Sequence, residues 1–175
     1  MKKACLLAMV LAVSVFGGNL SFESGTIKAH TEMVADKTID PFTKKATSHL
    51  SMETNPLTLK GTIEVLMGDL ISDNKKRDEH MQQTLESLSF PKAVFDIKEV
   101  VAKGGDRYIL KGTMNLHGVS KPMSFEGTVA QESNTVHIKV ASALKMTDFG
   151  IQQPSMMFLK VRDQIDLSVD VLLKR

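Results

Sequence analysis

Residues 110–129, LKGTMNLHGVSKPMSFEGTV, carry Leu110, Gly112, Met114 and Leu116, then Met123, Phe125, Gly127 and Val129, at every second position. A period of two turns one set of side chains toward a core and the other toward water, which is the pattern of half-buried β-strands. The alternation continues in both directions. Downstream it runs through Val136, Ile138 and Val140 with Leu144, and, after Val161, through Ile165, Leu167, Val169, Val171 and Leu173. Upstream it covers Phe95 and Ile97, the run from Leu57 to Met67, the run from Ala46 to Met52, and Ile27 to Met33. The chain therefore reads as mainly β, with about eight strands bounded by turn residues. Short turn signals, Gly104-Gly105-Asp106 and Glu132-Ser133-Asn134, favour antiparallel hairpins over the long crossovers of a parallel sheet.

One short amphipathic helix, near residues 74–86, interrupts the series. Asp73 or Asn74 supplies its cap, Met81, Leu85 and Leu88 form its apolar stripe, and Pro91 helps to end the region. Eight antiparallel strands form a sandwich or close into a barrel, and the pattern alone does not choose. Small residues on the expected inner face (Ala29, Ala46, Gly61, Gly112, Gly127), no Trp and only 5% aromatic residues leave room for a hollow interior. Equally, these glycines serve as bulges or twist points in a filled core.

Met1-Lys2-Lys3 followed by the apolar run of residues 4–16 reads as a secretory signal, cleaved near Gly18, because the run is too short to cross a bilayer as a helix. The expected division is a signal at 1–18 and one barrel domain at 19–175, exported to the periplasm without a stable membrane anchor. Removing the signal removes Cys5, the single cysteine, so neither disulfides nor thiolates are expected in the domain. The 22 basic and 20 acidic side chains give a net charge of +2, without the basic surplus that a nucleic-acid backbone requires.

Candidate chemistry is sparse. His30, His49, His80, His117 and His137 are dispersed one per element, with no ligand pair at metal-binding spacing, so no metal is expected. Residues Arg77, Asp78, Glu79 and His80 gather a cation, acids and a base. Their position at a helix start has a structural use, however, since carboxylates favour the positive helix N-terminus and no third group orients an acid–base pair. No catalytic residue and no cofactor is expected.

The segments LISDNKKRDEHM, LESLSFPKAVFDI, LKGTMNLHGVSKPMSFEGTV, TDFGI and KVRDQIDLSVDVLL together resemble the YceI-like family of bacterial polyisoprenoid-binding proteins, most clearly from Leu57 onward. The resemblance implies an antiparallel lipocalin-like barrel whose elongated apolar cavity takes a long-chain isoprenoid or fatty amphiphile. The N-terminal third departs from the family in lacking its Trp-containing opening. The residues expected to line the cavity are Leu50, Leu59, Ile63 and Val65, then Phe95, Ile97, Leu110, Met114 and Leu116, then Phe125, Val140, Leu144 and Leu167. Met156, Met157 and Phe158 are expected to form a lid. A homodimer is left open. The competing readings are an enzyme acting on a lipid inside the barrel and a secreted stress-related interaction module with a filled core.

Overall fold

The computed structural model describes residues 18–33, 37–156 and 159–175. Its principal strands are β1 (Gly18–Met33), β2 (Thr47–Met52), β3 (Lys60–Leu66), β4 (Lys92–Gly104), β5 (Arg107–Leu116), β6 (Val119–Glu132), β7 (Thr135–Lys145) and β8 (Gln164–Lys174). Each pairs antiparallel with its chain neighbours, and β8 returns to β1 from Ser21↔Lys174 to His30↔Asp166. The sheet closes on itself, so the fold is a barrel. Closure removes the unpaired strand edges that a sandwich would leave. The β1–β2 seam is short, from Gly18↔Met52 to Leu20↔Leu50. Beyond it the segment 37–43 completes the wall: Lys37–Ile39 pairs with Thr31–Met33, and Phe42–Thr43 pairs with Ile27 and Lys28.

β1 begins at Gly18, well before the expected start at Ile27. A register shift between Phe22 and Ser24 accounts for the difference, because an irregularity there breaks the period of two that marks a strand in sequence. The expected signal segment, apart from Gly18, lies outside the described residues.

Glycines on the expected inner face turn out to shape the sheet. A Cβ on Gly112 would lie 2.1 Å from the Asp96 carbonyl oxygen, and one on Gly61, at φ 108°, would lie 2.2 Å from that of His49. Both mark places where the neighbouring backbone crosses closely as the barrel curls. Gly112 sits opposite Ile97, at the edge of the irregularity between Ile97 and Glu99.

The two ends of the barrel differ. At the end carrying the β4–β5 and β6–β7 turns, Leu20, Met52, Leu59, Val100, Val129, Val136 and Leu173 are buried and form a solid plug. The 3₁₀ turn Pro56–Thr58 precedes Leu59 there, with the Leu57 N–H donating to the Asn55 side chain at 2.9 Å. The helix α1 (Lys75–Thr84) lies at the other end. Asn74 is its cap, its Oδ1 accepting from the Arg77 N–H at 3.1 Å. Met81 and Leu85 pack on a second apolar cluster of Val65, Met67 and Leu70. Leu88 does not continue that stripe and is fully exposed, at 100%. The helix has already ended at Thr84, and Glu86, at φ 44°, turns the chain away.

Candidate ligand cavity

Above the plug the barrel is hollow, with a cavity of about 810 Å³, within the size range of small-molecule sites. A filled core is therefore not the arrangement of this barrel. Leu50 on β2, Ile63 and Val65 on β3, and Phe95 and Ile97 on β4 face it. The wall continues through Leu110, Met114 and Leu116 on β5, Phe125 on β6, Val140 and Leu144 on β7, and Leu167 on β8. Phe95 and Phe125 meet edge to face, with ring centroids 4.8 Å apart.

Leu59 is the correction among the expected wall residues. It is 1% exposed and belongs to the plug, because it follows the 3₁₀ turn that seals the closed end, below the cavity floor. Of the expected lid, Met156 ends a two-residue strand paired with Leu159–Lys160. Met157 and Phe158 lie outside the described residues, while Pro154 and Ser155 line the cavity.

Several wall residues were not among those expected to line the cavity, although Ala29 was expected on the inner face. Ile27, Ala29, Thr31 and Met33 of β1 face inward, as do Ile165, Val169 and Val171 of β8. Their alternation is the same signal that identified Leu167, and extending it along both strands would have found them. The Thr31 hydroxyl, 5% exposed, has the carbonyl oxygens of Arg162 and Gln164 at 3.1 and 3.0 Å as acceptors, so this polar group on an apolar wall is satisfied. Ile39 and Pro41 also contribute. They come from the short seam segment, which has no periodicity to reveal its facing.

The charged block near the helix start divides by role. Asp78 turns back to the preceding loop and accepts from the Ser72 N–H at 2.8 Å and the Ser72 hydroxyl at 2.6 Å. Lys76, Arg77 and His80, with Asn74, line the cavity opening. Arg77, His80, Met81 and Thr84 are spaced three and four apart, which puts them on one helix face. Arg77 donates to Asp73 at 2.7 Å. Among the described lining residues there is no Asp or Glu, so the lip presents basic side chains over an apolar interior, with Arg77 paired to Asp73 from outside the lining.

The seam segment that carries Ile39 and Pro41 is held from outside by charge. His30 Nδ1 donates to Asp40 at 2.7 Å, and Lys28 reaches the same carboxylate at 3.2 Å. Nε2 of His30 faces Glu32 at 3.4 Å. The hydrogen bond to Asp40 raises the His30 pKa above the ordinary imidazole value, and Glu32 adds to it; the same bond lowers that of Asp40. A raised folded-state pKa gives stability that is fully present below the unfolded value, about 6.5, and is lost as pH rises through the folded value. The unfolding midpoint is thus expected to fall by a small amount between mildly acidic and mildly alkaline pH, and to fall less in His30→Gln. Thermal melts across that range check it; equal slopes would remove His30 from the account. Among the described residues no cluster of His, Cys, Asp and Glu converges at metal-binding distance.

A family model described as the YceI-like domain matches residues 16–173. A UPF0312 protein of Yersinia pestis is 28% identical over 105 residues, which are 55% of this chain and 54% of that protein. Another, from Pseudomonas putida, is 26% identical over 124 residues, covering 66% and 62% of the two chains. The match thus spans about half the length of the first of these relatives. Among solved structures, BcnA of Burkholderia cenocepacia superposes with a TM-score of 0.74 at 14% identity, covering 85% of this chain and 95% of its own. A polyisoprenoid binding domain from Saccharophagus degradans gives 0.70 at 9% identity, covering 89% and 98%. These similarities bear out the antiparallel lipocalin-like barrel.

Proposed function

This chain belongs to the YceI-like family, and we propose that it binds a long-chain isoprenoid or similar amphiphile with its tail in the barrel and its polar head at the helix α1 lip. The observation that carries the proposal is the blind apolar cavity, plugged at one end and bordered on the α1 side of the other by Lys76, Arg77 and His80. Burial of the tail drives binding, at about 25 cal/mol per Å² of apolar surface removed from water. At about 30 Å³ per water-sized group, the cavity volume accommodates roughly 25 non-hydrogen atoms, or about five isoprene units. A longer chain leaves its remainder outside. Export to the periplasm belongs to the same proposal, supported by the basic start and apolar run of residues 1–16; carriage or sequestration of the lipid would then take place there.

Organic extraction of the purified chain, followed by mass spectrometry, is expected to release a long-chain amphiphile. Native mass spectrometry that shows only empty protein, even after incubation with prenyl lipids, would overturn the proposal. The lip is tested separately. Lys76→Glu/Arg77→Glu is expected to weaken a prenyl phosphate by about tenfold or more, a usual scale for losing charge-assisted contacts, and to leave the corresponding prenyl alcohol nearly unchanged. Equal losses for both would assign the lip no part in head selection.

A further inference from the structure

Five methionines from different elements line the cavity. Met33 closes β1, Met67 follows β3, Met81 lies on α1, Met114 on β5 and Met146 just after β7, and all five line the cavity. Met67, Met114 and Met146 are buried within the protein, whereas Met33 and Met81 are partly exposed. An occupant that fills the cavity therefore passes methionine side chains from several strands toward the helix end. Leu or Ile would supply comparable apolar surface, but a thioether adds a reactive lone pair. Met33 and Met81, the two partly exposed residues of the five, are those that a small molecule entering the pocket meets with least obstruction.

We propose that the methionine wall is an oxidation site which turns the cavity from lipid-binding to lipid-releasing; the inference rests on the binding reading above. The oxidant is a peroxide or hypochlorous acid. With hydrogen peroxide, a sulfur lone pair attacks one peroxide oxygen, the O–O bond breaks, an S=O bond forms, and water leaves after proton transfer. The sulfur loses two electrons and the peroxide gains them, so the step balances. The product is a strongly polar sulfoxide in a wall whose occupant offers no hydrogen-bond donor along its tail, and an unpaired polar group is poorly tolerated there. Reduction by a methionine sulfoxide reductase reverses the change. An occupying lipid shields the same sulfurs, so the empty form is oxidised first.

The test uses the full chain and farnesyl phosphate as the probe. Binding by the untreated protein is the arm that tests the binding reading; failure there counts against that reading and not against oxidation of the wall. Given binding, graded peroxide or hypochlorite is expected to weaken it about tenfold or more while circular dichroism stays native, with sulfoxide mapped by peptide mass spectrometry to Met33, Met67, Met81, Met114 and Met146. Prior saturation with probe should slow modification at these positions several-fold, and reductase treatment should restore affinity. The variant with all five changed to Leu is read against its own untreated affinity: oxidant should leave that affinity unchanged, whatever its starting value. Should it not fold, Met33→Leu/Met81→Leu, which alters only the two partly exposed residues, should lose the earliest part of the response relative to its own untreated affinity. Sensitivity that survives these changes, loss of binding that merely follows unfolding, or sulfoxide confined to other positions would overturn the proposal.

Discussion

Ala29→Trp should lower affinity for a prenyl phosphate at least about a hundredfold while the barrel remains folded. Ala29 faces the cavity from the second half of β1. Its strand position is fixed on both sides, by the Leu167 pairing and by its N–H donating to the Pro41 carbonyl at 2.9 Å. An indole at that position has empty space to enter, and an aromatic side chain of this kind covers about 150–250 Å² when buried. The ligand then loses the wall contacts that the indole occupies. A hundredfold loss corresponds to about 2.7 kcal/mol, which at about 25 cal/mol per Å² needs only some 110 Å² of displaced apolar contact. The control is Lys139→Trp, at an exposed position between the inward-facing Ile138 and Val140 of β7. It should leave affinity within about twofold, as expected for a surface change away from the site. Calorimetry or fluorescence titration with both variants checks the result, and a thermal melt shows that each is folded. Undiminished binding in Ala29→Trp would mean that the tail does not enter the barrel.

The second large effect concerns folding. Gly112→Ala should cost at least about 3 kcal/mol, at or above the upper end of ordinary overpacking penalties, because the obstacle is backbone. The added Cβ would sit 2.1 Å from the Asp96 carbonyl oxygen, and the Phe95 ring lies only 3.0 Å from it. Relief requires moving β4 away from β5, which disturbs the Phe95–Met114 and Ile97–Gly112 pairings at the centre of the wall. Against a typical total of about 5–15 kcal/mol, such a loss lowers the urea midpoint substantially. Gly68→Ala is the matched comparison, since nothing lies within 4 Å of a Cβ there, and it should be nearly neutral. A small shift for Gly112→Ala would show that the strands can separate locally at little cost.

The helix region separates what could be read from what could not. Asn74 as cap and the end of the helix before Pro91 follow from local chemistry: a side-chain oxygen accepts a free N–H, and proline cannot continue the turn. Leu88 was misread because its spacing continued the helical stripe after the helix itself had stopped at Thr84. The basic residues of the charged block were legible as residues of a helix, but their facing was not. Lys76, Arg77 and His80 gain a role at the lip only because α1 is set across the open end of the barrel.

The sequence by itself determined most of the strands and the apolar faces from which the cavity is built, and favoured antiparallel pairing, since a period of two depends only on the geometry of an extended chain; it missed the first half of β1 and the segment 37–43. It also marked Gly61 and Gly112 without choosing between room for a ligand and a twist point in the sheet. Tertiary structure alone decided that the sheet closes from β8 to β1, that Leu59 lies in the plug, and that the space above remains open. Those outcomes depend on which residues meet across the barrel from distant parts of the chain. Every inward side chain alternates in the same way along its strand, and only its height along the barrel axis determines whether it fills the floor or faces a ligand.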